Sequence, residues 1–236
     1  MRVRTTAVAC ARLSATLAAL AVLATAQAQG VVGEWSQVPV PPPPALHEVT
    51  VNSSQTVLLV MDMAQDGCSR EPRCTPDIPH IKLLLDQARS HHTLVVFTGS
   101  PTTPIVSDIA PQHGEAMVPG RGPDKFYNTN LGDILKSHGV TTVIACGRLA
   151  NGAVFFTVFG AAARGYHIVV PVDCITGGSA ASRADPGRGG AYAEQSVVWA
   201  MANDPGLAPM GAGGGRPAGG QSGYTTLTSS NMIHFN

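Results

Sequence analysis

The chain carries no net charge: 15 lysines and arginines face 15 aspartates and glutamates over 236 residues. No cluster of basic residues follows the N-terminal region, and without one a protein has little grip on phosphates, so nucleic acid is not an expected partner. No Gly-x-Ser-x-Gly pentapeptide occurs, which removes the nucleophile elbow of a Ser-His-Asp hydrolase. Gly147-Arg-Leu-Ala-Asn-Gly152 lacks the spacing of the phosphate-binding glycine fingerprints, and no organic cofactor is expected. Neither Cys-x-x-Cys nor His-x-x-x-His appears, so the five cysteines do not read as a metal site. Nor is there an apolar run of membrane length. The longest N-terminal one, from about Ala15 to Ala24, is near ten residues, where a span needs roughly 20.

What that run does resemble is a secretory signal. Arg2, Arg4 and Arg12 precede or punctuate it, and the small residues Ala26-Gln27-Ala28 follow, so residues 1–28 are read as a signal peptide and the protein as periplasmic or secreted. Residues 29–48 contain Pro39 and the run Pro41-Pro42-Pro43-Pro44, which favours an extended, polyproline-like linker. One folded domain, 49–236, is then expected to begin near Val49, with enough chain for a single core of ordinary size. Cys68 and Cys74 flank a short polar loop, and in an oxidising compartment that pair can close it. Spacing permits the bridge without proving it. Cys146 and Cys174 are read as lying near the ends of two separate strands.

Continuous apolar runs at Val57–Met61, Leu94–Phe97, Thr142–Ala145 and Ile168–Val172 suit strands buried on both faces. Between them Ile81, Leu84, Leu85 and Ala88 recur at helical spacing, as do Leu131, Ile134 and Leu135 before Gly139. Asn151 to Arg164 and Ala191 to Asn203 read as two further helices. The glycine-rich stretch from Met210 to Gly223 reads as a loop before a last short strand, Tyr224 to Thr228. This alternation predicts the α/β class: a three-layer, Rossmann-like α/β/α fold with a mainly parallel sheet of about six strands. In such sheets ligands sit beyond the carboxyl ends of the strands, where both Asp62 and the turn from Gly147 to Ala153 belong. On residues alone, Asp62 could equally be a loop carboxylate capping a helix.

Two segments, Thr56-Val-Leu-Leu-Val-Met-Asp62 and Cys146-Gly-Arg-Leu-Ala-Asn-Gly-Ala153-Val-Phe-Phe-Thr157, running on to Gly165-Tyr166, carry a family resemblance. Together they resemble the isochorismatase-like hydrolases of the cysteine hydrolase superfamily, whose second segment reads roughly Gly-x-x-Thr-x-x-Cys-Val-x-x-Thr-Ala. Setting Thr157 on the family threonine and Gly165-Tyr166 on its Gly-Tyr places Ala153 at the nucleophilic cysteine. The resemblance implies the isochorismatase-like fold, a small-molecule substrate and Asp62 as the catalytic aspartate. Family members often form dimers or larger homo-oligomers, and Phe155, Phe156 and Phe159 could serve core or interface. The Asp-x-His grouping by which nicotinamidases hold a metal is not visible after Phe97-Thr98, so no metal is expected.

The family's second catalytic group is a lysine upstream of a Ser-Ala-Phe-like motif and a Thr-x-Leu. Here the matching stretch is Gly120-Arg121-Gly-Pro-Asp124-Lys125-Phe126-Tyr127-Asn-Thr129-Asn-Leu131. Counting back from Phe126 puts the lysine position at or near Gly120, beside Arg121, while Lys125 immediately precedes the phenylalanine. Either cation could hold Asp62 ionised or position a substrate oxygen. Lys125 could also be a solvent-facing residue at a helix entrance.

In the amidohydrolase branch the cysteine attacks the carbonyl, the aspartate takes its proton and amides of the turn receive the oxyanion. A methyl group at Ala153 cannot attack. Ala150 also replaces the usual threonine of the turn, and Ala64 and Gln65 replace the Gln and Asn that often follow Asp-Met. Three explanations stand. An engineered Cys-to-Ala change at 153 would leave Ala150 unexplained. A reaction like that of true isochorismatases needs no thiol, since Asp62 acts as general acid or base and water completes the hydrolysis. A non-catalytic pseudoenzyme would use the pocket only to bind a small molecule or a partner. The expectation is a secreted isochorismatase-like hydrolase working without cysteine, with Asp62, Lys125 and the Ala153 position as its catalytic set. Arg121, Tyr127, Asn151 and Gly152 are its candidate substrate contacts. The last two open a helix, where amides can hold an anion, although Asn151 could be an ordinary cap. Asp173 reads as structural, and no histidine spacing marks a base.

Overall fold

The computed structural model describes residues 30–177, 190–203 and 225–236. The signal expected at 1–28, the glycine-rich stretch from Met210 to Gly223 and Tyr224 lie outside the described residues. The chain divides into a unit ending at Pro42 and a larger one, Pro43–Asn236. In the first, residues 31–37 form a run of turns, with the Gly33 amide on the Gly30 carbonyl at 2.7 Å and the Gln37 amide on Glu34 at 2.8 Å. This differs from the extended chain expected throughout residues 29–48. A proline restrains its own φ and the residue before it, not the chain farther upstream. Residues 39–48 hold no regular element. The His47 amide donates to the Leu227 carbonyl at 2.9 Å, so the larger unit is pinned slightly ahead of Val49.

In chain order the strands are β1 (Val49–Val51), β2 (Thr56–Met61), β3 (Leu94–Gly99), β4 (Ala116–Pro119), β5 (Thr142–Arg148), β6 (His167–Pro171), β7 (Ile175–Thr176), β8 (Thr225–Thr228) and β9 (Ile233–Phe235). The helices are α1 (Gln65–Cys68), α2 (Ile78–Ser90), α3 (Leu131–Ser137), α4 (Phe155–Ala162) and α5 (Ala191–Asn203). The main sheet runs β4-β3-β2-β5-β6-β8, with the two-residue β7 on the end of β5. Every pairing in it is parallel. All six residues of β2 are buried. Successive side chains of a strand point to opposite faces, so both faces of the sheet are covered there. This is the three-layer α/β arrangement expected from the apolar runs. Helix α2 buries Ile81, Leu84, Leu85 and Ala88. Helix α3 buries Leu131 and Leu135 and stops before Gly139, whose φ of 63° ends it in the usual way.

Several boundaries differ from those read in the sequence. Strand β5 does not end at Ala145 but runs through Cys146 to Arg148. The helix expected at Asn151–Arg164 is a wide turn at Ala150–Val154, with Gly152 inside it in a non-helical conformation, followed directly by α4. Strand β8 is not the last: β9 follows it and pairs in parallel with β1. Strand β4 escaped notice because four residues give little periodic signal. Phe155 and Phe159 pack on the core while Phe156 is exposed.

Cys68 and Cys74 are bonded to each other, closing the loop they flank. Cys146 and Cys174, read as unrelated, form a second disulfide across 28 residues. Strand register brings them together, because β7 begins right after Cys174 and pairs Ile175 with Gly147, the residue after Cys146.

Candidate active site

Asp62 is the first residue past β2, with a positive φ of 54°. Aspartate is among the few residues that adopt this conformation at modest cost, and here it turns the side chain off the strand line. Its amide donates to the Thr98 carbonyl at 3.0 Å, so β3 continues to hold the backbone at that point. The carboxylate is divided between two donors. The Thr98 hydroxyl donates to Oδ1 at 2.9 Å, and the Lys125 ammonium donates to Oδ2 at 2.6 Å.

Lys125 is only 3% exposed. Its Nζ also donates to the Gly122 carbonyl at 3.0 Å, and its amide donates to the Thr157 hydroxyl of α4 at 3.1 Å. That hydroxyl in turn donates to the Pro123 carbonyl at 3.2 Å, so α4 fixes the loop that delivers the lysine. A buried ammonium without a partner would be costly, and here the Asp62 carboxylate is that partner. Lys125 is therefore not the solvent-facing residue that its place before a helix allowed. Asp62 is likewise not a helix cap: α1 has no side-chain cap bond.

Strands β2 and β5 run in parallel with Met61 opposite Gly147, so the turn after β5 starts at the level of Asp62. Gly147 has a φ of 124°, and a β-carbon there would lie 2.1 Å from the Met61 carbonyl oxygen. Only glycine permits that approach. Beyond it a cis peptide joins Arg148 to Leu149, and the Ala150 amide donates to the Gly177 carbonyl at 3.2 Å. Ala153 lies inside the turn and is 6% exposed. The Gly152 amide donates to the Leu149 carbonyl at 2.9 Å, so it is engaged within the turn. Asn151 is exposed and is not the cap, a position taken by Leu149. Arg121 is exposed, one residue from the Gly120 that borders the ion pair, and Tyr127 is 61% exposed two residues beyond Lys125. Asp62 and Lys125 are thus in direct contact, and the other candidates stand on the segments around them.

Thr98 was missed. The signal was available, since Thr98 ends a buried run and pairs with Met61, but a lone threonine carries no motif. Asp173, read as structural, accepts from the Ser230 amide at 2.8 Å and from the Ser230 hydroxyl at 2.7 Å. His80 Nδ1 lies 3.2 Å from the same carboxylate. Nearby, Arg73 is paired with Glu194, and Asp77, mostly buried beside Glu194, has its carboxyl pushed up to about 7. Among the described residues no group of three His, Cys, Asp or Glu side chains could hold a metal ion.

The family model described as the isochorismatase domain matches residues 56–186, more than half of the chain. The chain belongs to the isochorismatase family. Among curated proteins, this isochorismatase-family chain is 26% identical over 142 residues to the secreted isochorismatase effector Isc1 of Verticillium dahliae, covering 53% of the chain and 75% of that protein. It is 33% identical over 122 residues to the streptothricin hydrolase of Streptomyces noursei, covering 47% and 46%. A cysteine hydrolase from Pseudomonas syringae pv. phaseolicola has the same fold, with a TM-score of 0.60 at 18% identity, 80% of this chain and 94% of that one being covered. An isochorismatase from Pseudomonas putida gives 0.61 at 18%, with 82% and 93% covered. The family is one of hydrolases that act on small molecules.

Proposed function

We propose that this protein is an exported isochorismatase-family hydrolase that cleaves a small amide, ester or ether without a covalent enzyme intermediate. The observation that carries the reading is Asp62, a carboxylate held at both oxygens by Thr98 and Lys125 beside a turn whose nucleophile position, Ala153, bears only a methyl group. Asp62 moves a proton between water and substrate as general acid or base. Lys125 holds Asp62 in place through its Oδ2 and supplies positive charge beside the reacting carboxylate. Arg121, Tyr127 and Asn151, all exposed, are taken as the candidate substrate contacts, with Gly152 beside Asn151 in the turn. Export is supported by the arginine-flanked apolar segment at the N-terminus, by two disulfides in one domain and by a relative whose name describes it as secreted. Residues 29–48 then act as a linker ahead of the domain.

The test is hydrolysis of a panel of small amides, esters and enol ethers by the mature protein, beside Asp62→Asn and Ala153→Cys. Turnover that collapses in Asp62→Asn supports the reading. Silence in the unmodified protein, with amide hydrolysis only in Ala153→Cys, overturns it in favour of a binding protein on a preserved scaffold.

A further inference from the structure

The loop from Gly120 to Lys125 approaches Asp62 twice. It leaves β3 and β4 at Gly120, whose amide donates to the Gly99 carbonyl at 2.9 Å. A β-carbon on Gly120 would stand 3.4 Å from Asp62 Oδ1 and 3.3 Å from Lys125 Nζ. A side chain at 120 would therefore point straight into the ion pair from the near end of the loop. Five residues later the loop has turned back, and Lys125, anchored at its amide by Thr157, brings its ammonium to the same carboxylate from the far end. Two chain positions thus address one point, and the chain puts its cation on the second and no side chain on the first. The alignment on Phe126 agrees: it sets the family lysine at or near Gly120 and places Lys125 within the Ser-Ala-Phe-like motif, where the family has no cation.

We propose that the site's cation has changed its anchor: Lys125 supplies the ammonium that a residue at 120 would otherwise supply, and Gly120 is the space this exchange requires. The proposal rests on Asp62 and Lys125 being the reacting pair. It has a physical consequence that independent structural roles would not have. Removing Lys125 leaves a carboxylate only 32% exposed without its cation, and a lysine at 120, whose β-carbon would already stand against that carboxylate, is then to replace it. In the presence of Lys125 the same new lysine brings two ammonium ions against each other and a β-carbon to 3.3 Å from Nζ. The effect of Gly120→Lys must change sign with the residue at 125.

The experiment is a double-mutant cycle on the full domain, read by thermal denaturation and by the hydrolysis panel: unmodified protein, Lys125→Ala, Gly120→Lys and the pair together. Each single change is expected to lower Tm. The double variant is expected to recover roughly half or more of what Lys125→Ala loses, a coupling typical of residues in direct contact, with any hydrolysis recovering in parallel. Gly120→Ala in the Lys125→Ala background is the control and should recover nothing, since it fills space without charge. A double variant no better than the sum of the singles overturns the proposal, and so does recovery by Gly120→Ala. If Lys125→Ala does not fold, a soluble double variant supports the exchange and an insoluble one overturns it. Because Tm reads the cycle without substrate, an unmodified protein silent on the whole panel counts against turnover and leaves the anchor exchange to be decided on its own.

Discussion

Thr98 donates its hydroxyl to Asp62 Oδ1 at 2.9 Å from a position with no solvent exposure, so one oxygen of the carboxylate is set by β3 and the other by the Lys125 loop. The carboxylate cannot rotate without breaking one of these contacts. Thr98→Val keeps the shape and removes the donor, which should cost about 1.5–3 kcal/mol in urea unfolding, the usual scale for a hydrogen bond to a charged group. Turnover on whichever panel substrate is cleaved should fall by roughly 10–100-fold, with Thr98→Ser retaining most of it. Equal activity in the valine and serine variants would rule out a role for the hydroxyl in aiming Asp62.

The disulfides should matter unequally. Cys146–Cys174 closes a loop across 28 residues and Cys68–Cys74 one across six. Loop-closure entropy assigns about 3.6 kcal/mol to the first and about 2.2 kcal/mol to the second. Cys146→Ser with Cys174→Ser should therefore lower the urea midpoint more than the matching pair of changes at 68 and 74. A reversed order would mean that the short loop stabilises through packing that the entropy argument omits.

Asp77 makes stability depend on pH in the opposite sense to a salt-bridged carboxylate. Its carboxyl is pushed up from 3.8 to about 7, by burial first and then by the negative charge of Glu194, against a hydrogen bond from Thr176 that lowers it. A raised carboxyl means the folded state binds the proton more tightly than the unfolded chain. Its contribution is then most favourable below about pH 4, is lost as pH rises toward 7, and is constant above. Relative to the unmodified protein, Asp77→Asn should be more stable at pH 8 than at pH 5 by about 1–3 kcal/mol. Unfolding curves that stay parallel across that range would contradict the assignment.

The sheet was legible because its central strands are buried on both faces, which leaves a continuous apolar run that no surface element needs. Val57–Met61 and Leu94–Phe97 show this, and their strands extend only one or two residues further. The short edges were not legible. Strands β4, β7 and β9 have four, two and three residues, too few for a period to show, and they exist because neighbours supply hydrogen-bond partners. At the site, Asp62 was legible from its place after a buried strand and from family resemblance. Which of Arg121 and Lys125 replaces the family lysine does not follow from residue order, because both lie on one loop and the answer depends on how that loop turns.

Residue type and local order along the chain were enough for the class of fold, for the carboxylate at the end of β2 and for the alanine at position 153. That Lys125 and not Arg121 meets Asp62, that Thr98 holds the other oxygen and that Cys146 finds Cys174 came only with the folded chain. Those are contacts between segments separated by 28 to 63 residues, and they are set by strand register and loop direction, which residue types do not encode one position at a time.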